Sequence, residues 1–465
     1  MPDNVQERLV ALRDLVHRAP SPSGWKAICD LLTRWPAEDD LAVGLDYAEA
    51  NLDDRWPDEL REPDPRWWKR FTTSREEPRL RLVRALLLSP RHLHDGLDRL
   101  LGAELLHRIH HIGWRRSRVA PTSAQQTRED LLTLLRSPKL ANLGSLSMGG
   151  LNPSLATMLL ITDDHHLPGL HTLNLRGCGL TPPLTMALAR GPRRLRHLDL
   201  TFNELEAADL RMLLRAPWRD SLVILDLASN ALGDGGVQQL GELPWAHLAE
   251  LRLESNNVRV TGAEALARSP HLGGLKSLNL SRNNLFVRGS VALARSTTLT
   301  GLTGLALADI WSRPDQVVGY ARQFCDAMSL PRLKRLNLGQ NPLGDEGAAV
   351  VARSPWLERL EVLQLAYSGL GDEGARALAR SPHVGGLKRL DLRHNAITDE
   401  GAEALATSEA FERMQGLRLR SNPIRAAGGG ALARSRWVDP QERVAWSRLP
   451  WVARRLKAEE GGDSG

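Results

Sequence analysis

An eleven-residue frame, L-x-x-L-x-L-x-x-N-x-L, returns through the last two-thirds of the chain. Self-similarity at a fixed period constrains a fold more tightly than any local propensity. The frame reads LHTLNLRGCGL from Leu170, LRHLDLTFNEL from Leu195, LVILDLASNAL from Leu222, LAELRLESNNV from Leu248 and LKSLNLSRNNL from Leu275. It continues as LTGLALADI from Leu302, LKRLNLGQNPL from Leu333, LEVLQLAYSGL from Leu360, LKRLDLRHNAI from Leu387 and MQGLRLRSNPI from Met414. With a degenerate first copy, LGSLSMGGL from Leu143, there are eleven, set 25 to 27 residues apart except for a 31-residue step after Leu302.

The period changes inside each unit. The second and third leucines of the frame are two apart, so they share one face of a short strand, and their mostly polar neighbours point the other way. Tracts such as GDEGARALARSP (371–382) and TDEGAEALATSE (398–409) then repeat at helical spacing, with a proline closing the first. Asp372 and Asp399 are expected to cap the helices that begin beside them. The frame asparagine falls where the strand ends, where a short amide can satisfy backbone groups left unpaired by the bend. Strands stack about 4.8 Å apart and helices need roughly 8–10 Å, so such units are expected to curve with the sheet inside and one sheet face wet.

These residues resemble the ribonuclease-inhibitor class of leucine-rich repeats. SPHLGGLKSLNLSRNNL (269–285) and its relatives at 354–370 and 381–397 are similar to bacterial proteins of that class. The resemblance implies an α/β leucine-rich-repeat solenoid, a horseshoe with a parallel concave sheet and convex helices, acting as a partner-binding scaffold. Ran GTPase-activating proteins and innate sensors share the architecture, and no catalytic residue carries over.

Four segments are expected: a mainly helical N-terminal domain at 1–126, the solenoid at 127–433, a C-terminal cap at 434–458 and a flexible tail at 459–465. The first rests on helical spacing in ERLVALRDLVHRA (7–19), RLRLVRALLLSP (79–90) and LDRLLGAELLHRIHHI (97–112). TREDLLTLLRSP (127–138) is read as the opening cap of the array. Asp439 and Pro440 are read as a helix start, with Trp446, Trp451 and Leu456 as the apolar plug that a solenoid end requires. The unit from Leu302 breaks its own frame: Ile310 stands in the asparagine position, and 311–331 is longer than its peers, so an extra helical turn or altered loop is expected there.

Charge and cysteine usage narrow the function. Residues 1–139 carry 23 basic and 22 acidic side chains and the remainder 38 and 33, so no strongly basic domain supports a nucleic-acid partner. Three distant cysteines make neither a disulfide framework nor a zinc pattern. With no apolar leader in MPDNVQERLV and no run of membrane-spanning length, the chain is expected in the cytoplasm, without cofactor or metal. No Walker A, HExxH or GxSxG motif occurs, and the terminal GDSG (462–465) lies in a polar tail, so no enzyme is expected. Glu104, His107 and His111 have the spacing of one helix face, yet a single Glu-x-x-His half-motif favours solvated surface over a metal site. Asp163, Asp164, His165, His166 and His171 read as turn chemistry, and Arg108, Arg115, Arg116 and Arg118 around Trp114 as a solvated connector. Trp218, Trp245 and Trp356 follow proline at one point of the unit and read as a packing slot.

The candidate binding residues lie on the wet sheet face. They are Phe202, Arg252, Glu254, Arg282, Tyr367, Arg393, His394, Arg418 and Arg420. Phe202 and Tyr367 stand out because an aromatic ring on that face gains nothing from the core. Arg393 and Arg420, with Arg418 beside them, occupy equivalent places on adjacent strands and repel by roughly 0.8 kcal/mol even in water, a repulsion that Asp391 offsets in part. Their joint replacement by alanine is expected to raise stability slightly and to weaken binding of an acidic protein surface. The leading reading is a protein-interaction scaffold. A small-GTPase regulator, by fold analogy, and a nucleic-acid-associated protein are the alternatives.

Overall fold

The computed structural model describes residues 5–36, 41–53, 55–72, 77–114, 123–192, 194–311 and 314–461. It divides into two compact units, one comprising Met1–Asn203 with Met212–Leu222 and the other Glu204–Arg211 with Val223–Gly465. Both are built from short parallel strands, each followed by a helix, and the first carries a helical N-terminal region.

The helices of the first unit are α1 (Val5–Val16), α2 (Pro22–Arg34), α3 (Leu41–Leu52), α4 (Pro65–Thr72), α5 (Pro90–Gly102), α6 (Ala124–Leu135), α7 (Leu155–Ile161) and α8 (Pro182–Leu188). Its strands, β1 (Ala85–Leu88), β2 (His111–Trp114), β3 (Ser145–Ser147), β4 (Thr172–Asn174) and β5 (His197–Asp199), pair in chain order. In the N-terminal helices, buried tryptophans keep their indole N–H groups satisfied. Trp25 donates to Glu62 O at 2.8 Å, Trp56 to Val16 O at 2.9 Å and Trp67 to Thr33 Oγ1 at 2.8 Å.

Two tracts expected as helix hold strands instead. Leu86 pairs with Ile112, and Ile112 with Leu146, so parallel pairing begins at Ala85, inside the segment read as the helical domain. A four-residue apolar run such as ALLL cannot be assigned by period alone, and only the pairing partners fix it as a strand. The opening cap moves accordingly: α6 lies between β2 and β3 and is an internal coil helix.

In the second unit the strands are β6 (Ile224–Asp226), β7 (Glu250–Arg252), β8 (Ser277–Asn279), β9 (Gly304–Ala306), β10 (Arg335–Asn337), β11 (Val362–Gln364), β12 (Arg389–Asp391) and β13 (Gly416–Arg418), again paired in chain order. After α9 (Ala207–Leu213), the helices are α10 (Gly233–Glu242), α11 (Val260–Arg268), α12 (Phe286–Ala294), α13 (Val317–Ala327), α14 (Gly344–Ala352), α15 (Asp372–Ala379), α16 (Asp399–Ala406) and α17 (Ala426–Arg434). The unit closes with α18 (Pro440–Ser447) and α19 (Pro450–Gly461).

Three side-chain ladders hold neighbouring coils together. Asn283 Nδ2 donates to Leu253 O at 2.8 Å and Leu280 O at 3.0 Å, while its Oδ1 accepts from the N–H groups of Asn256 and Val258. Asn203, Asn341 and Asn395 repeat the pattern. On the outer side, serines bond the carbonyl ending the previous coil's helix, as Ser269 does with Gly241 O and Ser408 with Ala379 O, both at 2.6 Å.

The third ladder corrects the expected helix caps. Asp372 is the first residue of α15, and its Oδ1 accepts from Thr398 N at 2.8 Å and Gly401 N at 3.0 Å, at the start of α16. Asp345 does the same for Gly371 and Gly374, and Asp399 reaches Arg425 N at 2.6 Å. Each aspartate therefore caps the helix of the following coil, satisfying N–H groups that its own helix would otherwise leave to water. Burial opposes ionisation of Asp372, but the hydrogen bonds from Thr398 and Gly401 outweigh it and hold the carboxyl below its ordinary range.

Asp439 accepts from Gln441 N and starts α18, and Trp446 is buried. Trp451, expected as cover, is exposed, and Val452 takes the buried place against Gly429. Helix α19 runs on to Gly461 because nothing in AEEG stops it, so the segment expected as a loose tail begins as helix, and 462–465 lie outside the described residues.

Candidate functional site

The wet face of each sheet is set by the frame. Leucines four and six are buried in each full frame, while residues three, five and seven lie on the opposite face with mixed exposure and residue eight is half-buried or exposed throughout. Residue eight carries a feature the sequence does not announce. It adopts a left-handed backbone in coil after coil: Gly177, Phe202, Ser229, Ser255, Arg282, Asp309, Gln340, Tyr367, His394 and Ser421 all have φ between 54° and 62°. Glycine fits there without strain, whereas an ordinary L-residue gives up roughly 1–2 kcal/mol. Phe202, Arg282, Tyr367 and His394 are thus bulky side chains kept where the backbone disfavours them, and such outliers cluster at functional surfaces.

In the first unit Phe202 is 52% exposed, with the Arg176 guanidinium 4.7 Å from its ring centroid. In the second, Tyr367 is 54% exposed and stacks on His394 of the next coil, ring centroids 4.1 Å apart and planes within 7°. A flat plate two rings wide therefore stands beside the inner ends of β11 and β12.

The arginines divide into paired and open groups. Arg252 binds Glu250 at 2.7 Å and Asp226 at 3.1 Å. Arg282 reaches Glu254 at 3.5 Å and Gln340 at 3.4 Å, and Glu254 also accepts from Asn279. Arg393 grips Asp391 through Nε at 2.9 Å and Nη2 at 2.7 Å, a hydrogen bond that raises its pKa further. Arg418 pairs with Asp439 of the C-terminal cap at 3.2 Å. Glu442, also from the cap, accepts from Leu419 N at 2.9 Å and lies in the field of Arg420 and Arg393, burial raising its carboxyl pKa. The acidic complement expected from a partner at Arg393, Arg418 and Arg420 is thus supplied largely by the chain itself.

That pairing reverses the expected sign of one substitution. Arg393→Ala leaves Asp391, 7% exposed, with only the backbone N–H of residue 393, and is expected to cost about 1–2 kcal/mol, discounted for the exposure of Arg393. Denaturant unfolding of this variant checks it, and an unchanged or raised midpoint would restore the repulsion account.

Arg335 and Arg389, which sequence reasoning passed over, are exposed on the same face. They flank Val362 across three paired strands, at residue three of the frame. The signal was present, because residues three and five of a strand share a face. Glycines at the same place on adjoining strands give the long side chains room: a Cβ at Gly304 would lie 3.2 Å from Arg335 Nη2, and one at Gly416 would lie 3.2 Å from Arg389 Cγ.

The remaining sequence candidates do not assemble. Glu104 and His107 sit in a 3-10 turn and His111 in β2, so they share no helix face, and His111 Nδ1 lies 2.8 Å from Ser145 Oγ, its pKa lowered by burial. His166 bonds Leu135 O, and His165 N–H donates to Asp163. Arg108 pairs with Glu49, while Arg115, Arg116 and Arg118 lie outside the described residues. Among the described residues no group of three or more His, Cys, Asp or Glu is placed to hold a metal, and no helix is long and apolar enough to cross a membrane. Trp218 and Trp356 fill buried slots and bond a carbonyl of the previous coil's helix, whereas Trp245 is half-buried.

A family model agrees with the repeat frame. Residues 221–241, 246–267, 330–352, 359–379 and 387–406 match the family model described as Leucine Rich repeat. These five segments are leucine-rich repeats. No curated protein matches the chain. Among solved structures it is similar to that of the Rad7 and Elc1 complex in yeast, at 20% identity and a TM-score of 0.47 over 69% of this chain and 77% of that one. It is similar also to the TLR13–ssRNA13 complex (18%, 0.35, covering 76% and 40%) and to an internalin from Listeria monocytogenes (15%, 0.35, covering 80% and 93%).

Proposed function

We propose that this protein is a non-enzymatic interaction scaffold of the ribonuclease-inhibitor class that binds a partner protein on the inner sheet face of its second unit. The observation carrying this reading is the Tyr367–His394 plate: two exposed rings, both at strained backbone positions, stacked where no core needs them. Exposed, rigid aromatic groups ringed by polar residues are the usual anchors of a protein interface. Arg335 and Arg389 beside the plate favour an acidic partner surface.

Binding and stability separate cleanly in Tyr367→Gly. Relief of left-handed strain gains about 1–2 kcal/mol, glycine's backbone entropy costs about 0.5–1, and the lost ring stack costs about 0.5–1.5. Stability is therefore expected within about 1 kcal/mol of wild type, while partner capture falls about tenfold or more. A photo-crosslinking residue at Gln364, on the inner face, is expected to trap the partner, and one at Arg380 on the outer side is not. Equal capture by Tyr367→Gly, or crosslinking from Arg380 alone, would reject the inner face.

A further inference from the structure

The coil that starts at Leu302 leaves a mark on the outer surface. Ahead of its buried Phe324–Cys325 pair, helix α13 carries Tyr320–Ala321, whereas neighbouring helices carry a small pair at that place, Gly262–Ala263, Gly289–Ser290 and Gly347–Ala348. Those glycines permit close approach: a Cβ at Gly262 would lie 2.7 Å from Asp234 Oδ1, and one at Gly289 would lie 3.1 Å from Ala263 Cβ. Beneath α13, Trp311 and Phe324 are fully buried and meet edge to face, centroids 5.8 Å apart and planes at 73°. Clefts of about 530 and 780 Å³ open on the two sides of α13.

The cleft shared by α11, α12 and α13 has a pronounced charge. Val291 and Ala292 form part of its wall, and Arg268, Arg288 and Arg295 line it with Glu264 as their counter-charge. Glu264 stands 3.4 Å from Arg268 and 3.8 Å from Arg288, and among the described residues Arg295 makes no ion pair. Three exposed guanidiniums thus share one carboxylate.

We propose that this cleft is a second docking site, independent of the inner face, which takes an acidic segment of a partner protein. Arg288 and Arg295 are seven residues apart on or just after α12, roughly 10 Å along the axis, too far for one phosphate or carboxylate to bridge. An extended peptide covers that span in about three residues, so carboxylates spaced along it meet successive arginines in the bidentate geometry guanidinium favours. The apolar wall suits the methylene stems of glutamate, and the excess of only two positive charges suits a short acidic peptide better than a nucleic-acid backbone.

Fluorescein-labelled oligoglutamate, followed by anisotropy on the full chain at low ionic strength, tests the site. Arg268→Ala/Arg288→Ala/Arg295→Ala is expected to weaken binding about tenfold or more. Ala292→Trp, which fills the cleft and keeps every charge, is expected to weaken it about fivefold. Arg335→Ala/Arg389→Ala on the inner face is expected to change it less than about twofold. Wild-type affinity in Ala292→Trp would show diffuse surface attraction and overturn the proposal, as would loss of binding in the inner-face variant. Tighter binding of labelled oligouridylate through the same arginines would overturn it in favour of nucleic acid. The inner-face reading is tested separately, through Tyr367, so failure of the cleft and failure of the inner face are distinguishable.

Discussion

Asn283→Ala is expected to lower the unfolding free energy of the repeat array by about 3–5 kcal/mol. The side chain is 3% exposed and satisfies four buried backbone groups at once, the carbonyls of Leu253 and Leu280 and the N–H groups of Asn256 and Val258. Each such group costs about 1–3 kcal/mol when left unpaired, and water entering the vacated space recovers only part of the sum. Ser368, at the equivalent place two coils beyond Asn283's neighbour, reaches only Ala366 O at 3.4 Å, so Ser368→Ala is expected to cost under about 1 kcal/mol. Because coils interact chiefly with their neighbours, hydrogen exchange gives the sharper readout: protection should fall at Asn256 and Val258 and persist near β12. Equal effects of the two substitutions would mean that the asparagine ladder is ornamental and that leucine burial alone sets coil stability.

The repeat made the solenoid legible because strand and helix periods alternate within each unit, and the leucine positions left one sheet face polar. What stayed hidden depends on contacts between units of sequence. β1 and β2 lack the asparagine of the frame and reveal themselves only through pairing, β1 with β2 and β2 with β3. Asp372 and Asp399 look like caps for their own helices, yet serve the next coil, since a one-dimensional reading sees one coil at a time. Arg393 and Arg420 looked repulsive because the two-point grip of Arg393 on Asp391 is a side-chain fact, and Glu442, which returns from the C-terminal cap into the field of both, lies outside the frame. Tyr367 and His394 were singled out by composition and place, but their shared ring stack and left-handed backbones are three-dimensional facts. The anomaly at Ile310 was plain in the frame, whereas the edge-to-face contact of Trp311 and Phe324 beneath α13 is a three-dimensional fact.

Gly428→Ala is expected to cost about 2–3 kcal/mol, although alanine is the better helix former by about 1 kcal/mol. A Cβ there would fall 2.8 Å from the Asp399 Cα, 2.9 Å from its Oδ1 and 2.9 Å from Ile424 Cγ2, so backbone on the neighbouring coil must move. Gly374→Ala differs in kind. Its nearest obstacle is Asp345 Oδ1 at 2.7 Å, the very atom that accepts the Gly374 N–H, with Asp345 Cα no closer than 3.3 Å. Shortening the aspartate therefore removes the obstacle in one case and not in the other. In a double-mutant cycle, Asp345→Ala is expected to recover about 1 kcal/mol of the Gly374→Ala penalty, whereas Asp399→Ala recovers little of the Gly428→Ala penalty. Denaturant titration of the six variants measures both coupling energies. Matching values would mean that the glycines are needed only for helix–helix spacing, and the capping of each helix by the preceding coil's aspartate would lose its claim to specify that glycine.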